Sequence, residues 1–113
     1  MAVTDLRDAL LTVSADVYHY KAPQQKAPPY IVWGETSAEH AEDADDRAQL
    51  LLVSGELWYY TKTEYDPVLH EIIAALESAE AAWRINTIGR DNDSGMYVYG
   101  FSWGVPCGSG EIY

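Results

Sequence analysis

Residues 36–48 hold the densest set of potential metal ligands in the chain. Carboxylate oxygens bind hard divalent cations, and His40 could add a nitrogen ligand. A calcium-binding loop, however, requires its oxygen ligands at fixed spacings around a glycine, and this segment lacks that pattern. We therefore predict a solvated, mobile acidic loop, which could also dock to a basic partner. The carboxylates concerned include Glu42, Asp43, Asp45 and Asp46.

Cys107 and the three histidines are the remaining candidates for catalysis. A nucleophilic thiol needs a base and an orienting group close by, and the surrounding sequence PCGSG supplies neither. We therefore predict a free thiol at the surface. No metal-binding or catalytic spacing joins His19, His40 and His70. The sequence thus predicts no catalytic residue, no metal site and no cofactor, and we expect that the protein is not an enzyme.

The C-terminal third carries glycines and aromatic residues that resemble nucleotide-binding features. No GxGxxG or GK[ST] pattern is present, so we assign the glycines to strands and turns. A base-stacking platform would lie in a basic groove, but only Arg84 and Arg90 are near in sequence. We therefore assign the alternating aromatic residues to the core or to a subunit contact. They are Tyr97, Tyr99, Phe101 and Trp103.

The segment from Gln49 to Ala79 is predicted to form a long strand that leads directly into an amphipathic helix. Apolar residues at odd positions of the strand indicate one buried face, which leaves Trp58 and Tyr60 on the outward face. Asp66 and Pro67 are typical of a helix start, with Asp as N-cap and Pro at the first helical position. The inward strand positions are Leu51, Val53, Leu57 and Tyr59, and the helix stripe is Leu69, Ile72, Ile73, Leu76 and Ala79.

The other elements complete a fold with one sheet and two helices. Three prolines make residues 21–29 an exposed connection. We predict an α+β fold, a mainly antiparallel sheet with two helices packed on one face in the order α-β-β-β-α-β-β, within one domain over residues 1–113. The remaining predicted elements are a first helix capped by Thr4, strands over residues 14–20, 30–35, 83–88 and 95–105, a turn over 90–95, and a mobile tail over 106–113.

Charge and composition exclude several classes of partner. The formal net charge is −11, so broad contact with nucleic acid phosphates or with an anionic membrane is disfavoured. A single cysteine excludes a disulfide within the chain. No signal peptide and no apolar run long enough to cross a bilayer is visible, so we expect a soluble protein made in the cytoplasm.

Three segments, PPYIVWGE, ELWYYTKTEYDPVLHEIIAAL and MYVYGFSW, carry a family resemblance. With them the chain resembles the tail-terminator, or tail completion, proteins of long-tailed bacteriophages over Leu6 to Val105. The resemblance implies a structural virion protein at the neck, assembled in the host cytoplasm. Such proteins form a hexameric ring that caps the tail tube, ends its polymerisation and joins it to the head connector.

The resemblance also implies a set of partners. They are further copies of the chain in a homohexamer, the tail tube protein, and a head connector or stopper protein. Genomic DNA would pass through an acidic lumen without specific binding, and no membrane would be involved. Apolar strand faces and the acidic loop are the candidate contact surfaces. The candidate interface residues are Ile31, Trp33, Glu42, Asp43, Asp45, Asp46, Trp58 and Tyr60.

Two other functional classes are compatible with the sequence. The chain could be another neck or head-closure protein, which would differ in whether it forms hexamers and binds tail tubes. It could also be a small acidic inhibitor that mimics nucleic acid. An inhibitor would carry its carboxylates along one face, whereas here much of the charge lies in one loop.

Overall fold

A computed structural model describes residues 2–40 and 50–113 of the chain. The predicted fold class and element order are confirmed, with two helices and five strands in the order α-β-β-β-α-β-β. The elements are α1 (Val3–Leu11), β1 (Val17–His19), β2 (Tyr30–His40), β3 (Leu50–Thr61), α2 (Val68–Ser78), β4 (Ala82–Arg90) and β5 (Tyr97–Gly108).

The five strands form one sheet in the spatial order β1-β2-β3-β5-β4. All neighbouring pairs are antiparallel except β1 and β2, which are parallel. The register shifts between Glu35 and Ser37 in β2, and between Ile85 and Thr87 in β4. Such irregularities bend a strand and change the direction of its side chains. The first lies in β2, next to the edge strand β1, and the second lies in β4, which is itself an edge strand.

The core lies between the sheet and the two helices. As predicted, odd positions of β3 are inward, and Val53, Leu57 and Tyr59 are each at most 2% exposed. Helices α1 and α2 bury apolar stripes in the same cluster, which removes their large side chains from water. The other buried members of this cluster include Val3, Leu6, Leu10, Ile72, Ala75, Leu76, Ala79, Phe101, Trp103 and Val105.

Asp66 joins the end of β3 to the start of α2 through three hydrogen bonds. Its Oδ2 accepts hydrogen bonds from the hydroxyls of Tyr59 and Thr61, both at 2.7 Å, and its Oδ1 accepts one from the backbone N–H of Val68 at 2.9 Å. The predicted positions of Asp66 as N-cap and Pro67 as first helical residue are wrong by one residue, because α2 begins at Val68 and Pro67 is its N-cap. The Asp66 carboxylate still accepts the first backbone N–H of the helix, that of Val68. This network fixes the direction of α2 relative to the sheet.

Two predictions near the N-terminus are wrong in their bounds. Helix α1 begins at Val3 after an N-cap at Ala2, so Thr4 is not the cap. The carboxylate of Asp5 instead accepts the backbone N–H of Ala2 at 2.9 Å, which satisfies one unpaired donor at the helix start. The first strand spans only Val17–His19, because only these residues pair with β2.

Strand β2 continues five residues beyond the predicted end at Glu35, through His40. The predicted loop over residues 36–48 is therefore wrong for residues 36–40, which belong to β2 and of which residues 37–40 pair with β3. Backbone hydrogen bonding to a neighbouring strand does not require apolar side chains, and these five side chains are exposed. Residues 41–48 of the predicted loop lie outside the described residues.

The segment over residues 106–113, predicted to be a mobile tail, forms backbone hydrogen bonds with other parts of the chain. Strand β5 extends to Gly108, and the backbone N–H of Val3 donates to the carbonyl of Ile112 at 2.6 Å. The thiol of Cys107 is fully buried, not at the surface, because the odd parity of β5 directs it into the core. Burial raises the pKa of this thiol, so it is a poor nucleophile.

We expect Cys107 to resist thiol reagents in the folded protein. Reaction requires exposure of the thiolate, so modification should be at least ~100-fold slower in the native protein than in the denatured protein. The modification rate is measured with an aromatic disulfide reagent, which releases a coloured thiol when it reacts with the cysteine. A Cys107→Ser/Ser109→Cys variant is the control, because Ser109 is exposed. Equal native rates for Cys107 and the Ser109→Cys thiol would contradict the burial.

Candidate functional site

The sheet has an outer face, directed away from the helices, that carries large aromatic side chains. Trp58 and Tyr60, both predicted to be outward, are half-buried there. Tyr30 is paired with Tyr60 across β2 and β3, and the two ring centroids lie 4.9 Å apart at an interplanar angle of 30°. Trp58 pairs with Gly100, whose Cβ, if present, would lie 2.5 Å from Cζ3 of the indole. The indole therefore lies on the strand backbone.

Tyr20 extends this arrangement toward the sheet edge. Its backbone is in the left-handed region, with φ of 69°, and its ring covers Gly34. A Cβ at Gly34 would lie 2.4 Å from the Tyr20 ring, so a glycine is required for this approach. The Tyr20 hydroxyl donates to the carbonyl of Glu35 at 3.0 Å, which holds the ring in place.

The candidate residues on β2 are not on this face. Ile31 and Trp33 are 0% and 4% exposed, because their parity in β2 directs them into the core. Val32 lies between them and is half-buried on the outer face, opposite Trp58. Ile31 is therefore unavailable at the surface of the subunit, whereas Trp33, although 4% exposed, still lines two surface clefts. The other candidate residues, Glu42, Asp43, Asp45 and Asp46, lie outside the described residues.

Two adjoining clefts follow the outer face. The larger has a volume of about 390 Å³ and the smaller about 150 Å³, and both are lined by Tyr20 and Val32. We refer to them together as the aromatic groove. Lys21 and Lys26 line the larger cleft, and Glu56 lines the smaller one. The apolar residues of the aromatic groove include Tyr20, Tyr30, Val32, Trp58 and Tyr60.

A second polar cluster fixes the β2 bulge. Glu35 Oε1 is 2.5 Å from Nε2 of His19, and the hydroxyl of Tyr113 donates to its other oxygen. Burial alone would raise the pKa of Glu35, but the bonds from Tyr113 and His19 outweigh it and lower that pKa. The His19 ring also packs against Trp33, with the ring centroids 4.5 Å apart and the rings tilted by 35°. Because both carboxylate oxygens are engaged, this cluster is suited to holding chain segments together.

The described residues contain no group of three His, Cys, Asp or Glu side chains that could hold a metal ion. Within residues 2–40 and 50–113, no helix has the length and apolarity needed to cross a membrane. His19 belongs to the cluster at the β2 bulge, His40 ends β2, and His70 lies on the exposed side of α2.

Sequence reasoning missed three members of the aromatic groove. The alternation of a strand predicts that Tyr30 and Val32 lie on the outer face, since they alternate with the inward Ile31 and Trp33 in the same strand. Tyr20 had no such signal, because its placement depends on a left-handed backbone that residues other than glycine rarely adopt. Only the glycine at position 34 hints that something approaches that strand closely.

Comparisons with known proteins indicate a virion protein. A family model described as tail completion protein gp17 matches residues 4–100. A solved chain from the "Virion of native gene transfer agent (GTA) particle" has a similar fold, with a TM-score of 0.53 and 13% sequence identity. The match covers 95% of this chain and 91% of that chain. A search among curated proteins gave no significant match.

Proposed function

Because the chain belongs to the tail completion protein gp17 family, and is thus a structural protein of a phage-like tail, we propose that it forms a homohexameric ring at the end of the tail tube. The ring stops polymerisation of the tube protein and offers its other side to a head connector or stopper protein. It therefore lies at the neck of the virion. Genomic DNA passes through the lumen without specific binding, since a chain of charge −11 repels phosphates.

The aromatic groove is the observation that carries this proposal. Its rings are held by contacts within the subunit before any partner binds: Trp58 against Gly100, Tyr20 against Gly34, and Tyr30 against Tyr60. Rigid aromatic side chains lose little conformational entropy on binding and are typical anchors of protein interfaces. A face with this preorganisation is suited to contact between protein subunits.

The two-layer architecture is compatible with closure into a ring. Ring symmetry requires two different surfaces on each subunit, one of which contacts the other on the next copy. Here one surface is the sheet with its aromatic groove, and the opposite one is formed by α1 and α2. No reaction is assigned to the protein, because its proposed role consists of contacts alone.

The ring is tested by measuring particle mass with and without isolated tail tubes. We expect a mass of six subunits per tube end and a block on further addition of tube protein. A head-closure protein would bind connectors instead of tubes, and a nucleic-acid mimic would remain a monomer or dimer. A wild-type protein that stays monomeric and allows tubes to grow would contradict the proposal.

The aromatic groove is tested in the same assay with Trp58→Ala/Tyr60→Ala. Loss of two interface anchors is expected to weaken ring formation by roughly 30-fold or more, equivalent to about 2 kcal/mol. Ile88→Ala is the matched control, because this side chain is 69% exposed and lies on β4, outside the aromatic groove. Equal ring formation by both variants would exclude the aromatic groove as a contact surface.

A further inference from the structure

The two outer surfaces of the subunit differ in charge. Among the described residues, the exposed charges on α1, α2 and the turn after α2 comprise five carboxylates and one guanidinium, that of Arg7. The aromatic groove instead has Lys21 and Lys26 at its larger cleft. The chain has seven Lys and Arg residues in total, so two of them in one cleft is a local excess of positive charge. The carboxylates are those of Asp5, Asp8, Glu71, Glu77 and Glu80.

The positive charge in the cleft is only partly neutralised within the subunit. Lys26 Nζ lies 3.2 Å from Oδ1 of Asp16. Lys21 is exposed and forms no ion pair with any described residue. The cleft is therefore lined both by tyrosine rings and by polar side chains, and the Lys21 ammonium group at its rim has no carboxylate partner among the described residues. Its chemistry suits a carboxylate carried on an otherwise apolar or small-residue surface.

Helix α2 offers such a surface. Glu71, Ala74 and Glu77 are exposed and recur at three-residue spacing, so they lie on one side of the helix. Neither glutamate forms an ion pair among the described residues. Ala74, between them, has a small side chain that allows an aromatic ring to approach the helix closely. On α1, by contrast, Asp8 is already paired with Arg7 at 2.9 Å.

We propose that the Lys21 end of the aromatic groove receives α2 of the next copy in the ring. Glu71 and Glu77 of that copy pair with Lys21 and Lys26, and Ala74 packs on the tyrosine rings. The contact joins two different surfaces, so it can repeat around a closed ring. The inference rests on the proposed ring but adds to it which surfaces meet. Nucleic acid is a poorer occupant, since two lysines do not offset the repulsion from a net charge of −11.

Charge reversal tests this contact. Lys21→Glu/Lys26→Glu places like charges opposite α2, and Glu71→Lys/Glu77→Lys does the same from the other side. Each variant alone is expected to form rings at tube ends at least roughly tenfold less well than wild type. An equimolar mixture of the two is expected to recover, because every contact in an alternating ring then joins opposite charges. The combined four-residue variant should recover as well.

Controls separate the possible failures. Circular dichroism and the melting temperature show whether each variant folds, which matters because Lys26→Glu removes the contact with Asp16. Arg90→Glu reverses one positive charge on the exposed β4 edge, away from the aromatic groove, and should assemble normally. Two results would contradict the proposed contact but leave the proposed ring intact. In one, the reversed variants form rings as well as wild type does; in the other, the equimolar mixture fails to recover ring formation. If wild type forms no ring at tube ends, the proposed function itself fails.

Discussion

Replacement of Asp66 by alanine is expected to destabilise the subunit by about 3–5 kcal/mol, because it leaves buried donors without an acceptor. The carboxylate accepts hydrogen bonds from Tyr59, Thr61 and the backbone of Val68, and Asp66 is only 8% exposed. Each unsatisfied buried group costs about 1–3 kcal/mol, and the hydroxyls recover part of this by rotating. The midpoint of urea unfolding, with an unchanged m-value, measures the loss.

Asp93→Ala is the matched control for this variant. Asp93 is exposed in the turn before β5, and its replacement should change the free energy of unfolding by no more than about 0.5 kcal/mol. Equal stabilities for the two variants would show that the Asp66 network does not stabilise the junction of β3 and α2. Asp66→Asn separates charge from shape, since an amide oxygen can still accept some of these bonds.

The same network gives stability a defined dependence on pH. Burial alone would raise the pKa of Asp66, but the bonds from Tyr59, Val68 and Thr61 outweigh it and hold this pKa below 3.8, the ordinary value of an aspartate side chain. Because the folded pKa is the lower one, the stabilisation is present above pH 3.8 and is lost as the pH falls through the folded pKa. Wild type should therefore lose more stability than Asp66→Asn below pH 3.8.

Gly55→Ala is expected to be the most damaging single methyl addition in the described part of the sheet. A Cβ there would lie 2.0 Å from the carbonyl oxygen of Gly34 and 2.5 Å from Cζ2 of Trp103. The first clash involves backbone, and Trp103 is held by the hydrogen bond from its Nε1 to the carbonyl of Glu56 at 3.0 Å. Because neither neighbour can move freely, we expect a loss of roughly 3 kcal/mol or more, measured by urea unfolding.

Gly89→Ala is the control for Gly55→Ala. A Cβ at Gly89 would meet nothing within 4 Å, and the residue also lies in a strand. This change should leave stability unchanged or raise it by up to about 1 kcal/mol, since alanine restricts the unfolded chain. A similar loss in both variants would mean that glycine is needed in these strands for reasons other than the close contacts of Gly55.

The sequence predicted the parts of the fold that depend on periodicity and on local capping. Alternation in β3 placed Val53, Leu57 and Tyr59 inward, and the Asp66-Pro67 pair marked the start of α2. Strand lengths could not be obtained in this way. Residues 36–40 belong to a strand because the partner strand β3 forms hydrogen bonds with this part of the backbone. Their polar side chains do not indicate that pairing.

The residues of the candidate site were predictable only in strands where inward and outward positions differ clearly in side-chain type. Trp58 and Tyr60 stood out because they follow the polar residues Ser54 and Glu56 on the outward parity of β3. The run Tyr30–Trp33 is apolar at every position, so composition could not separate its core residues from its surface residues. Cys107 was misplaced for a related reason: the glycines around it indicated a loop, while strand pairing with Leu51 carries it into the core.

The rings that lie on glycines in the outer face also have a consequence for how related sequences can diverge. Trp58 and Gly100 occupy one shared volume, as do Tyr20 and Gly34. A larger side chain at either glycine position has room only if the ring opposite it shrinks or turns away. We therefore expect the two members of each pair to be coupled, because a change in one alone would displace the ring and disturb the outer face of the sheet. The aromatic groove is in this sense built from two linked pairs rather than from separate residues.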